Sequence, residues 1–496
     1  MRKLLSVLIC VMMMISIFAI GVSADETPVI ITDAAQFAAM EAGGNYKLGA
    51  DITITESVAT FNATLDGDGH KIKTTVPIFT EISGGSISNL VIGDPGDEIV
   101  DTESKHLGAL ARSTASNAEV TFSNIVNNVS VTSAVSGSYR RGSLIGQLFK
   151  GHNIAFTGIV NNGNVKGGNM IGGIVGYGQE GVLLFSDCIN RGNVTIDTEA
   201  SLTGLAGGII GREGGDSAYD EAKTLTIINC LNEGNISGTS NIGGIIGLSR
   251  GNKVTISNCT NKGAVSSSNN DAAGIMGHAG SGDYLSLVVI TACVNDGAIS
   301  CTGGTVDSET GKPTSGTNCA AGIIGYVYGS GDNGRCELHN CLNKGAVNAK
   351  AFASQFIGYT NNVRTIIENC IGDGTITGGV KVLVGLSSAS PNNYNFSGIT
   401  LTANDSTEYL GYATAAGNSG NIVSPVTAYN DVEGKAGSIT VNGTYVQSAE
   451  WGYQAPASPS QGGDNPTTGD AAVWFAIAGA VALLGAAVTV KVCKSR

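Results

Sequence analysis

Three observations predict an all-β chain folded as a right-handed parallel β-helix, a solenoid of about ten coils with a short N-terminal capping helix and a small C-terminal β cap. First, a glycine-flanked apolar pentad recurs at Gly172–Gly176, Gly207–Gly211, Gly243–Gly247, Ala273–Gly277 and Ala321–Gly325. Second, each pentad is followed by a short strand-like run ending in Cys-x-Asn-x-Gly, beginning at Cys188, Cys230, Cys259, Cys293 and Cys341, with a degenerate copy at Cys370. Third, the chain has 72 glycines but only 9 prolines and 14% charged residues. Without a collagen triplet, that much glycine punctuates many short strands.

Each repeat supplies three β-rich pieces separated by Gly and Asn corners, too short and too often interrupted for helices of about ten or more residues. Stacking each piece on its equivalent one coil away, about 4.8 Å distant, aligns identical residues in columns. Ile and Val fill the interior. Asn190, Asn232, Asn261, Asn295 and Asn343 are expected at one corner, tolerating left-handed backbone and bonding one another up the column. Gly192, Gly234, Gly263, Gly297 and Gly345 are expected to complete that corner at φ values closed to other residues. Six cysteines share one column, as small apolar residues in a narrow interior, and are read as stacked free thiols. Cys319 with Cys301 or Cys336 is the disulfide worth testing.

In chain order, residues 1–24 read as a secretory signal: Arg2 and Lys3, an apolar run from Leu4 to Ile20, and Val22-Ser23-Ala24 ahead of cleavage between Ala24 and Asp25. Residues 25–105 read as an N-terminal cap with the first coils. Thr32-Asp33 is a helix start, followed by Ala, Phe and Met at helical spacing up to Met40. In Asp66-Gly67-Asp68-Gly69-His70, Asp-Gly turn chemistry outweighs a metal or catalytic reading, because the motif does not recur. Residues 106–401 hold the repeats, and 402–453 a few strands closing the far end. Gln454 to Asp464 is a Pro/Ser/Gly-rich spacer. Residues 465–496 include an apolar run, 471–490, long enough to span a bilayer and followed by Lys491, Lys494 and Arg496.

Residues Leu107 to Ile399 resemble GLUG repeats, named for a Gly-Leu-x-Gly core, with Ile in place of Leu in these pentads. The opening segment, helix then Asp51-Ile52 strand then Asp66-Gly67-Asp68-Gly69-His70, looks like that of pectin-lyase-like β-helix surface proteins. The tail, Asn465, Pro466, Thr467, Thr468 and Gly469 ahead of an apolar span and basic end, resembles a Gram-positive cell-wall sorting signal, with Asn465 where the commonest pattern has Leu. That resemblance implies a sortase that cleaves after Thr468 and joins it to peptidoglycan, leaving an extracellular, wall-anchored chain. A permanent transmembrane anchor is the alternative, and the body faces outward in either case. GLUG-like repeats imply an exported, adhesin-like protein. No His-Glu-x-x-His is present, which excludes the metallopeptidase found beside such repeats in some IgA-peptidase relatives.

A net charge of −13 argues against a nucleic-acid partner. No cofactor, metal ligand set or catalytic motif emerges; the five histidines lack matching partners. The longer loops mostly leave just after the pentad. They carry Tyr177 and Glu180; Arg212, Asp216 and Tyr219; Asp283 and Tyr284; and Tyr326, Tyr328, Asp332 and Arg335. Tyrosines among carboxylates and arginines are the chemistry of glycan or protein recognition, set against the plainer reading of a solvated loop edge. A polysaccharide lyase or glycoside hydrolase on the same scaffold is the alternative function. It requires paired carboxylates within about 5–10 Å on one face, or carboxylates with a nearby Arg or Lys base.

Overall fold

The structure is a computed structural model. It describes residues 27–449 apart from 103–105, 134–139, 197–203, 216–221, 251–252, 281–286, 305–317, 330–333, 362, 388–393, 398, 402–409, 416–434 and 442–443; from 379 onward it describes backbone only. The signal segment, the linker, the sorting motif (465–469) and the 471–490 run all lie outside the described residues. Among the described residues no helix is long and apolar enough to cross a membrane.

The expected helix forms over Ala34–Ala38, where the Asp33 side chain accepts from Gln36 N at 2.9 Å. It buries Phe37 completely, with its ring 5.7 Å from that of Phe79. Asp66–His70 is a turn: Asp68 N donates to Asp66 Oδ1 at 2.9 Å, and Asp68 and Gly69 have φ of 49° and 79°. Asp68 faces Lys47 and His70 faces Asp51, so the three polar side chains of this turn do not converge.

Beyond it the chain is a parallel β-helix, every described pairing being parallel except the hairpin Lys435–Val441/Thr444–Ala449. That hairpin and Leu410–Ala415 fall in the stretch expected to cap the far end. One coil serves as reference. Its strands Met170–Gly172, Val175–Gly178, Val182–Ser186, Ile189–Asn190 and Val194–Thr195 belong to columns A, B, C, D and E. Each pairs in register with its equivalent in the next coil, so Gly172 pairs Gly207 and Asn190 pairs Asn232.

The interior is one continuous apolar cluster of Ile, Val, Leu and Phe. Column C stacks Phe122, Phe156 and Phe185 with centroids 4.8 and 4.9 Å apart. All nine described cysteines are buried and free, Cys301, Cys319 and Cys336 among them, so the tested pairing does not form. Burial pushes the thiols of Cys188, Cys230 and Cys259 well up, which makes them packing groups rather than nucleophiles.

The asparagine ladder is present and fully buried. Asn127, Asn161, Asn190, Asn232, Asn261, Asn295 and Asn343 each donate Nδ2 to the next amide, at 2.7–2.9 Å up to Asn343, which donates to Gln355. Each Nδ2 also bonds the carbonyl two residues on, as Asn190 does to Gly192 O at 2.9 Å. Two expectations about this corner need correction. Left-handed backbone lies not in the ladder but at the residue before each cysteine: Asp187, Asn229, Asn258, Ala292, Asn340 and Asn369, with φ of 53–57°. Gly192, Gly234 and Gly263 are required by proximity instead of by φ. A Cβ on each would sit 1.8–1.9 Å from the glycine carbonyl oxygen one coil below.

An ion pair is buried in the early coils. Arg141, completely buried at a position where the coils above carry Ile171 and Ala206, reaches Asp101 at 2.9 Å and Ser133 at 2.7 Å.

Candidate functional site

The pentad gives the rod its distinctive outer feature. A Cβ on Gly172 would lie 2.0 Å from Val175 O, and one on Gly176 would lie 2.6 Å from Arg141 N in column A of the coil below. Gly211, Gly247 and Gly277 make the same approach to Ile171, Ala206 and Ile242. Columns A and B thus meet across a floor of glycine, and the second pentad glycine leaves room for the ladder, Gly173 facing Asn190. Side chains flanking this floor form the two walls of a seam that follows the stacking direction.

The walls change character along the seam. At the N-terminal end Arg112 occupies the register position of the floor glycines Gly146 and Gly176, and its Nη1 donates to His106 O at 3.3 Å. Column B continues with Gln147, Tyr177, Arg212, Leu248, His278, Tyr326 and Tyr359 in direct register. The Tyr177 ring lies between two guanidiniums, Arg212 at 4.9 Å and, from column A, Arg140 at 5.5 Å. Its hydroxyl donates to Gly214 O at 3.1 Å. Local positive charge shows in His106, whose pKa burial, Arg140 and Arg141 push down to about 4, leaving a neutral imidazole.

Toward the C-terminal end the walls are acidic and aromatic. Buried Asp271 holds His278 Nδ1 at 3.1 Å, and His278 meets the Tyr326 ring edge-on at 4.7 Å. Tyr326 stacks on Tyr359 at 5.5 Å, and both pack with Cys319 and Phe352. Burial raises the Tyr326 hydroxyl above its ordinary range.

Glu213 follows Arg212 and points inward, accepting from Ser249 Oγ at 2.6 Å, with its second oxygen buried and unbonded. Burial raises its pKa from 4.5 to about 8, against the Ser249 bond and Arg212. The folded chain therefore holds a proton there that the unfolded chain releases above pH 4.5, so stability declines as pH rises from about 4.5 to about 8. Glu213→Gln keeps the shape without the titration. Its melting temperature is expected to stay flat over that window while the parent falls, a difference on the order of 3 kcal/mol at pH 8. Thermal melts at several pH values check this.

The structure distributes the sequence-predicted loop residues unevenly. Tyr177, Arg212 and Tyr326 are strand residues of the seam wall, only 5–9% exposed, so they line it instead of projecting as a ridge. Tyr328 is half-buried, its ring 6.0 Å from that of Tyr326. Glu180 pairs with Lys223 at 3.1 Å beside the seam. Arg335 is exposed at the start of column C and paired with Glu337. Asp216, Tyr219, Asp283, Tyr284 and Asp332 lie outside the described residues. Arg140, Gln147, Asp271 and Tyr359 were not legible as site residues, because only the register places them opposite or above the others. Among the described residues no three His, Cys, Asp or Glu side chains gather to hold a metal. An open trough of about 390 Å³ lies along column E, lined mostly by Ser and Thr with Lys166 at one side.

No family model matches the chain, and no curated protein does. Among solved structures the chain is similar to a crystal structure provisionally described as an immunoglobulin A1 protease from Bacteroides ovatus, at 18% identity, covering 72% of this chain and 84% of that one, with a TM-score of 0.28. At that score the likeness carries no argument about activity.

Proposed function

We propose that this chain is an exported, cell-wall-anchored surface protein of GLUG-repeat type that binds a glycan or a protein along one edge of its β-helix. The observation that supports this reading most is where the insertions fall. While 196–204 and 302–318 are insertions between columns E and A, the connections 179–181, 214–223, 250–252, 280–286 and 329–334 each follow the end of column B in successive coils and differ in length. Such a row presents variable residues on a rigid scaffold, the usual arrangement for recognition. The signal segment and sorting motif supply the address: sortase and peptidoglycan are the partners at the tail, a membrane is met only through 471–490, and no nucleic acid is involved.

The full chain displayed on a Gram-positive cell is expected to bind at least one class of immobilised glycan or matrix protein. Silence across both collections would contradict the reading. A polysaccharide-cleaving enzyme is the second reading, favoured by the Asp271–His278 pair, which has the geometry of an oriented acid–base group. Release of shorter products from acidic polysaccharides, lost in His278→Ala, would establish it in place of simple binding.

A further inference from the structure

We propose that the N-terminal end of the seam, at Arg140 and Arg212, binds the anionic group of an acidic glycan, a carboxylate or sulfate carried on a sugar ring. This rests on the surface-binding reading above and names the ligand class of that same edge.

The argument begins with an imbalance of charge. The chain as a whole carries −13, yet Arg112, Arg140 and Arg212 converge on this short stretch of seam. Lys223 is neutralised by Glu180, and Arg141 by Asp101. Arg140 is not neutralised by any described residue: its guanidinium contacts the Tyr177 ring and donates to no described carboxylate. Its Nε is buried without a hydrogen-bond partner, while the terminal nitrogens, likewise unbonded, keep contact with solvent at the seam mouth. Directly across the seam in the same coil stands Gln147, 3% exposed, with its Oε1 also buried and unbonded.

Contact with the Tyr177 ring holds the Arg140 guanidinium at the seam before any ligand arrives. A half-buried cation with no counter-ion gains most from a planar or multidentate anion. An acidic side chain would bring a carboxylate alone. A uronate or sulfated sugar brings the anion together with ring hydroxyls, which the Gln147 amide can bond. That combination favours a glycan over an acidic peptide.

The test uses the full chain purified in detergent and calorimetric titration with four probes: a short oligouronate, its carboxyl-reduced neutral counterpart, a sulfated oligosaccharide and poly-glutamate. The oligouronate or the sulfated sugar is expected to bind, the arms telling which, and binding should weaken as salt rises. Arg140→Ala and Arg212→Ala are each expected to weaken it roughly tenfold or more. Arg140→Lys, which keeps the charge and the aliphatic stem but not the fork, should fall between, and it holds the test open if the alanine variant unfolds. Arg191→Ala, on the exposed column D face, should bind as the parent does. Equal binding of the neutral sugar, binding of poly-glutamate alone, or indifference to Arg140 and Arg212 would overturn the proposal. If neither acidic sugar binds while the chain still captures another glycan or a matrix protein, this inference fails and the surface-binding reading stands. Capture of nothing ends both.

Discussion

Asn261→Ala is expected to be among the most destabilising single substitutions in the rod. Its amide accepts from Asn232 at 2.7 Å, donates to Asn295 at 2.8 Å and to Gly263 O at 2.9 Å, all with no solvent access. Alanine leaves a buried donor and two buried acceptors without partners. At about 1–3 kcal/mol for each stranded group, the loss sums to roughly 3–6 kcal/mol even with some relaxation. Leucine would not recover it, because the second pentad glycine, Gly244, packs tightly on that amide and leaves no room for branching. Asn162 is the contrasting case: it also donates to an asparagine one coil below, Asn128, at 2.8 Å, but on the exposed side. Asn162→Ala should cost under about 0.5 kcal/mol. Denaturant unfolding of the two variants reads the difference. Because each coil contacts only its neighbours, the Asn261 variant should lose protection first in the coils flanking it.

Asp101→Ala is expected to cost about 3–5 kcal/mol for a different reason: it strands a guanidinium that has no solvent access. The double variant Asp101→Ala/Arg141→Met should regain most of that loss, since neighbouring coils fill Arg141's position with Ile171 and Ala206. If the double variant is no more stable than the single one, the pair is not what holds the early coils together. Melting temperatures of parent, single and double variants decide the matter.

Most of the scaffold was legible because parallel stacking writes one structural requirement into the chain many times. The buried cysteine column and the bonded asparagine ladder follow directly from repetition at one offset. The reasons behind repeated residues were less accessible. Gly192 and its equivalents looked like residues of unusual φ, since glycine serves both purposes, and only the coil-to-coil distance shows that a carbonyl oxygen occupies the place of their Cβ. The left-handed position had a usable signal, an Asp or Asn before five of the six column cysteines. The seam was invisible for a physical reason: its walls face one another through pairing between coils, and the partners of Tyr177 are Arg140 and Arg212, each far from it in the chain. The pentad accordingly has two tasks. Its isoleucines fill the core, and its glycines let two strand columns close on each other beneath side chains that change from coil to coil.

The most direct test of a binding edge is to shorten the connections 214–223, 280–286 and 329–334 to the length of 250–252 in the wall-displayed full chain, then repeat the binding measurement. Loss of capture with the melting temperature unchanged is the predicted result. Undiminished capture by the shortened chain would contradict it and move the binding surface elsewhere on the rod.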